Sequence, residues 1–402
     1  MPTQTKALRI DRVAAGAPLK GPGPAESKKI KSEKSSGLLT EPPVCADDFL
    51  LLDNQPARQE VPRHIVEAAQ NRKVEIYSPG GIPDIIKSKD NPRGFEFELP
   101  PGANIGLPGR EAKRVSMEHI HKLVDPKVDT TGHRPPWIDF TPHAKTTTVS
   151  KPFIRRPNGK IIEPYYGVFG ADNRQVFYPS GYPWICIGKV FTWTDFSNPN
   201  PQFTGSGVLI GGRVVLTAGH MVPWGSGNWA MKFVPAFYDG SSALGPGVSS
   251  WVSDAQGYND PVSAWDMAVL RLYTPLGNSY GYYGAKTYDS SWENGDYWTL
   301  AGYPGAIDNA NRPSRQMWFP MLDDDGSGSA DEIEYEADSS PGDSGGPVFG
   351  FWSGESWPSV VGTVSGGTKE TFLWWTTEDT NVGAGGSAMV DLIKWARTTW
   401  PA

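Results

Sequence analysis

His220, Asp266 and Ser344 are the side chains of this sequence whose types and neighbours suit nucleophilic chemistry on a carbonyl. His220 closes the run "GSGVLIGGRVVLTAGH". The other histidines, His64, His119, His121, His133 and His143, all precede residue 166, so base catalysis near neutral pH in the later part of the chain falls to His220. Asp266 heads the apolar run Met267 to Leu272 in "SAWDMAVLRLYTPL". A carboxylate there stays ionised only if hydrogen-bonded, and an imidazole N–H is such a partner; taken alone, the fragment reads better as a strand-start Asp capping a turn. Ser344 lies in "SSPGDSGGPVFG", where Gly342, Gly345 and Gly346 let backbone and ligand approach closely. The amides of Gly342 and Ser344, turned into one hollow, would stabilise the oxyanion formed when Ser344 attacks a carbonyl. His220 would take the hydroxyl proton and pass it to the leaving amine, with Asp266 orienting the ring.

Such a constellation needs a rigid frame, and the second half of the chain reads as one. With 46 Gly, 37 Pro and 38% hydrophobic residues, the 402-residue chain favours short strands and many turns over long helices. "GSGVLIGGRVVLTAGHMV" predicts a hairpin of two β-branched runs joined at Gly211-Gly212, placing His220 at a loop-lined lip. "SAMVDLIKWARTTW" predicts a C-terminal helix, with Met389, Val390, Ile393, Trp395 and Ala396 at mostly helical spacing after a break at Gly385-Gly386. The net charge of −7 argues against nucleic acid as a partner, and no stretch is apolar enough to span a membrane.

The first 165 residues differ in texture. Residues 1–44 are basic and rich in Pro, Gly and Ser, and read as a disordered tail without the apolar core of a signal peptide. Residues 45–165 read as a prosegment or accessory region, largely irregular, with one helix expected at "REAKRVSMEHIHKLV". Its Glu118, His119 and His121 suit an exposed helical face better than a metal site. Cys45 and Cys186 read as two unpaired thiols, a single bridge being the alternative. Residues 166–402 form the expected catalytic domain.

A further chemical motif is "DDDGSGSADEIE". Asp323, Asp325, Ser327 and Glu334 fall at loop positions 1, 3, 5 and 12, with Gly328 at 6, the ligand pattern of an EF-hand calcium loop. The flanks read as strands, so an acidic hairpin tip is the simpler expectation and calcium the alternative.

"LTAGHM", "WDMAVLRL" and "GDSGGPV", in the order His, Asp, Ser, resemble the three signature blocks of the chymotrypsin-like serine proteases. "VFGADNRQVFYPSGYPWICIGKV" is similar to the start of the glutamyl-endopeptidase branch. The resemblance covers about residues 166 to 402. It implies an all-β fold of two six-stranded antiparallel β-barrels with the active cleft between them, closed by a C-terminal helix. It also implies a serine endopeptidase acting on proteins or peptides, a monomer requiring no cofactor, secreted, with a cytoplasmic location as the alternative. Asp338, six positions before Ser344 and beside Ser339, stands where trypsin-like members keep the acid that binds Arg or Lys. This implies a basic residue on the acyl side of the cut. The glutamyl branch commonly has an Asp there too, so an acidic preference is the alternative. The histidine that branch adds is replaced here within Thr363, Val364 and Ser365. "TVSGG" resembles the substrate-binding strand, with Ser365, Gly366 and Gly367 pairing with an extended peptide and Gly366 leaving one pocket wall open. Asp343 resembles the acid that pairs with a freed α-amino group, which implies an inactive precursor cut between about 155 and 168, Val168 being one candidate terminus and the dibasic Arg155-Arg156 the more obvious, though upstream, processing site. The competing class is a protease-fold binding module without catalysis, its 16 Trp stacking on carbohydrate; the complete triad speaks against it.

Overall fold

Residues 43, 61–65, 73–77, 94–98, 106–141, 154–155, 161–162, 168–169, 172–260, 263–372 and 375–402 are described by the structure, a computed structural model. Most of the expected tail, Cys45 and Arg156 lie outside them.

"REAKRVSMEHIHKLV" is not one helix. It divides at Ser116 into strand β1 (Glu111–Val115) and helix α1 (Met117–Leu123), whose first turn Ser116 caps by accepting from the His119 N–H. The strand half is won by pairing: β1 runs parallel to a barrel strand, and Arg110 meets Asp254 at 2.8 Å. His119 and His121 are exposed, as expected, and His121 faces Asp391 at 3.3 Å.

The first barrel comprises β2 (Ile187–Trp193), β3 (Phe203–Leu209), β4 (Val214–Thr217), β5 (Ala230–Pro235), β6 (Ser250–Tyr258) and β7 (Ala268–Leu272). Their order is β5, β2, β3, β4, β7, β6, and the β6–β5 pairing closes the ring, with β1 added outside β6. The expected hairpin is β3–β4. Val190, Val208, Val215, Leu216, Val252 and Leu270 are buried almost completely in its core.

The second barrel is assembled from β8 (Trp298–Gly302), β9 (Ser314–Phe319), β10 (Met321–Ser327), β11 (Ala330–Tyr335), β12 (Pro347–Phe351), β13 (Pro358–Phe372) and β14 (Trp375–Gly385). The order is β10, β11, β14, β13, β12, β8, β9. Gln175–Val176 pairs outside β9, and β9 and β10 are halves of one run, Ser314 to Ser327, broken at Pro320 beside Trp318 in a left-handed conformation. A proline has no N–H to give a ladder, so the run turns a corner there and passes from one side of this second sheet to the other. Inside it Trp292, Trp298 and Trp352 pack with ring centroids 5.7 to 6.2 Å apart, so these tryptophans serve the core and not a carbohydrate surface.

The acidic run "DDDGSGSADEIE" does not wrap. It is the β10–β11 hairpin, turning at Gly328 and pairing Asp323 with Glu334 and Asp325 with Glu332. An extended strand puts Asp323 and Ser327 roughly 13 Å apart, too far for both to ligate one ion. Glu334 is buried and accepts from Thr380 instead. The run thus takes the acidic hairpin expected for it, and the alternative, an EF-hand loop, is not formed.

Helix α2 (Gly386–Thr399) follows the Gly385-Gly386 break as expected. At Gly386 φ is +82°, and a side chain there would meet the Ser329 carbonyl. Met389, Ile393 and Ala396 are buried against the first barrel's core. Arg397 donates to the carbonyls of Ile210 and Tyr283 in the barrel region and of Asp129 and Thr131 before it. Together with β1, this binds residues 106–141 into the folded body, so the boundary expected near 165 does not set them apart. Cys186 is a free, fully buried thiol whose pKa burial pushes up. No helix among the described residues is long and apolar enough to cross a membrane.

Candidate active site

His220 sits in a short turn directly after β4, and Asp266 just before β7; β4 and β7 are paired neighbours, so the ladder brings the two together. The Asp266 Oδ1 accepts from the His220 backbone N–H at 2.7 Å, and Oδ2 lies 2.6 Å from the ring Nδ1. A carboxylate only accepts, so Nδ1 carries the proton and Nε2 is left as a base. Ser365, in β13, donates its hydroxyl to the same Oδ2 at 2.7 Å. Burial opposes the charge on Asp266, but the bonds from His220 and Ser365 outweigh it and hold its pKa below the usual aspartate value. Gly219 is required here, since a side chain at that position would crowd the Asp266 carboxylate at 3.0 Å.

Ser344 stands on the turn before β12, where Gly342 has φ +105° and Gly345 φ +82°. A side chain at Gly342 would strike the Tyr303 carbonyl, and one at Gly345 would strike Thr217 and Ala218, two residues from His220. The close approach therefore depends on glycine and brings the serine turn against the histidine loop. Neither the Gly342 nor the Ser344 N–H donates to a partner among the described residues, which leaves both for an incoming oxyanion. A side chain at Gly366 would start with nothing within 4 Å among the described residues.

Asp338 is placed differently from the expectation. It is fully buried, and its oxygens accept from the backbone N–H groups of Phe169 at 2.8 Å and Asn173 at 2.5 Å. Burial raises its pKa against the pull of these amides. It ties down the segment before the first barrel and does not present a free carboxylate to a substrate cation. Ser339 is equally buried, and its Oγ has no hydrogen-bond partner among the described residues. Of the expected metal residues, Asp323 alone joins a group of three, with Glu293 and Asp324, whose oxygens lie within 4.8 Å of one another. Burial first, and then Asp324, push the Glu293 carboxyl up to about 7.

Two residues of the site escaped sequence reasoning. Ser206, in β3, accepts from the Tyr303 N–H at 2.8 Å, donates to the Gly342 carbonyl at 2.7 Å, and its own N–H donates to the Ser344 carbonyl at 2.8 Å. It fastens the nucleophile turn of the second barrel to the first, and a serine inside a glycine-rich strand carries no signal for that. Arg174 reaches Asp343, beside the nucleophile, at 3.3 Å. The charge of an isolated arginine gives no hint of which acid it will meet.

Residues 188–372 match the Trypsin family model. The glutamyl endopeptidase of Bacillus licheniformis is 27% identical over 214 residues, a match covering 52% of this chain and 63% of that protein's length. Among solved structures, a Glu endopeptidase in complex with MPD is 19% identical and covers 57% of this chain and 99% of its own, with a TM-score of 0.45. The thermostable serine protease AL20 from an extremophilic microorganism is 22% identical, covers 54% and 98%, and has a TM-score of 0.40.

Proposed function

We propose, from the premise that this chain belongs to the trypsin-like serine proteases through its residues 188–372, that it is a serine endopeptidase acting on proteins or peptides through an acyl-enzyme on Ser344. The Ser344 oxygen attacks the scissile carbonyl while its proton passes to Nε2 of His220. The amides of Gly342 and Ser344 receive the oxyanion. Collapse breaks the C–N bond, the proton goes to the leaving amine, and water, activated by the same imidazole, releases the acyl group. Asp266 keeps the ring in the right tautomer and stabilises its cation.

The observation that carries this reading is the pair of hydrogen bonds from His220, one from its ring and one from its backbone, to the half-buried Asp266 carboxylate, next to a serine whose turn leaves two amides without a partner among the described residues. A fluorophosphonate probe should label Ser344 in the wild type and nothing in Ser344→Ala. An unreactive serine would favour the non-catalytic binding module.

The residue on the acyl side of the cut is, in this reading, acidic. Asp338 is engaged by two backbone amides, which removes the main support for a basic preference. The relative's name, glutamyl endopeptidase, supports the same choice. A fluorogenic panel varying that residue should give a higher kcat/KM for Glu than for Arg; the reverse order would restore Asp338 as the specificity acid. We place the enzyme's work outside the cell, on the family resemblance, and activity in the medium but not in the cell lysate of the producing organism would support that.

A further inference from the structure

The carboxyl group beside the nucleophile is the place where the expectation of a precursor meets the geometry. Asp343 is fully buried, and its Oδ2 accepts from the Ser340 N–H at 2.9 Å and from Nη1 of Arg174 at 3.3 Å. The same Nη1 donates to the Ser340 hydroxyl at 2.8 Å. On its other side the guanidinium is gripped by both oxygens of Asp172, at 3.1 and 3.2 Å, and its side chain is 2% exposed. Such a fork is rigid and points one way. It spans the start and end of the turn 340–343, which supplies the Gly342 amide and leads directly into that of Ser344. Asp343 also fills the space over Gly302, where any side chain would press on its Oδ1 at 2.5 Å.

Arg174 is delivered by a continuous chain. The segment is fixed by Asp338 at Phe169 and Asn173, and just after Arg174 the pair Gln175–Val176 joins the edge of β9. No free end is needed to bring the positive charge to Asp343.

We propose that Arg174 is a positioning residue which holds the Asp343 side of the nucleophile turn, so that the oxyanion amides are set in the uncut chain and no cleavage between 155 and 168 is required. This rests on the reading of Ser344 as the protease nucleophile. The full-length chain carrying Arg155→Ala and Arg156→Ala should react with a fluorophosphonate probe at Ser344, the adduct appearing at the mass of the intact chain. Labelling confined to fragments that begin after residue 155 would overturn the proposal. Absence of labelling in every form, cut or uncut, would instead sink the protease reading itself.

A second measurement addresses the guanidinium directly. Arg174→Met should lower kcat by about 10²-fold with KM changed only a few-fold, because an oxyanion donor is misplaced while substrate contacts remain. Arg174→Lys should recover about tenfold of that loss, and Arg174→Met should add little to Asp343→Asn. A folded Arg174→Met enzyme with kcat within twofold of wild type would overturn the role. If that variant fails to fold, the intact-chain labelling still decides.

Discussion

The two halves of the catalytic apparatus are held in opposite ways. On the first barrel, His220 and Asp266 flank the ends of two paired strands and make two hydrogen bonds to each other, without outside help except from Ser365. On the second, the Ser344 turn depends on residues far from it in the chain: Ser206 clamps its carbonyls, Arg174 its buried acid, and Tyr303 crowds its glycine. A charge relay can be built from two neighbouring strands, whereas an oxyanion hollow has to be braced from several directions at once.

The largest effect should separate chemistry from bracing. Asp266→Asn is expected to lower kcat about 10⁴-fold, because an amide in place of the carboxylate permits the wrong imidazole tautomer, and to leave KM and Tm nearly unchanged. Steady-state kinetics with a thermal melt would check both, and a large loss of Tm would mean that the histidine half is as dependent on packing as the serine half. Next, Gly342→Ala should cost about 10²- to 10³-fold in kcat and also lower Tm, since its φ of +105° and the Tyr303 carbonyl leave no room for a side chain. A change in kcat without one in Tm would weaken the contrast. Smaller again, Ser365→Ala removes one of the bonds on Asp266 and should lower kcat about tenfold, with the acid limb of the pH–rate profile as the sensitive readout.

The smallest effect lies outside both halves and calibrates them. Glu293, with its pKa raised to about 7, holds a proton in the folded state that the unfolded chain releases near 4.5. Between those values the native state binds more protons, so this group's contribution makes stability fall as pH rises. Glu293→Gln should remove that fall, by less than about 1 kcal/mol because the group is partly exposed, and leave kcat unaltered. Melts from pH 4 to 8 would show it.

This contrast also explains what could be read in advance. His220, Asp266 and Ser344 were legible because each is embedded in a local pattern: a strand end, the head of an apolar run, a glycine turn. The hairpin β3–β4 and helix α2 were legible for the same reason, through periodicity and glycine breaks. Asp338 and Asp343 were recognised as important acids, but their partners were assigned to a substrate and to a freed terminus. Both belong to one internal segment more than 160 residues upstream. No spacing rule connects Arg174 to Asp343, since the link exists only once the segment around residue 174 has joined the second sheet. The acidic hairpin shows the converse: twelve residues satisfied a loop pattern, and strand pairing with β14 overrode it. Likewise "REAKRVSMEHIHKLV" looked helical throughout until the free edge of β6 claimed its first half.

The Arg397 clasp has a consequence in time. One guanidinium near the end of the chain collects carbonyls from residues 129, 131, 210 and 283. During synthesis from the amino end, each of those groups emerges long before the side chain that will bind it. The Arg397 donor therefore reaches those carbonyls only after α2 has been made, as a late addition to a frame whose first barrel already closes on its own pairings. A chain that stalls just short of its end would carry every catalytic residue and still lack the bolt that secures its frame.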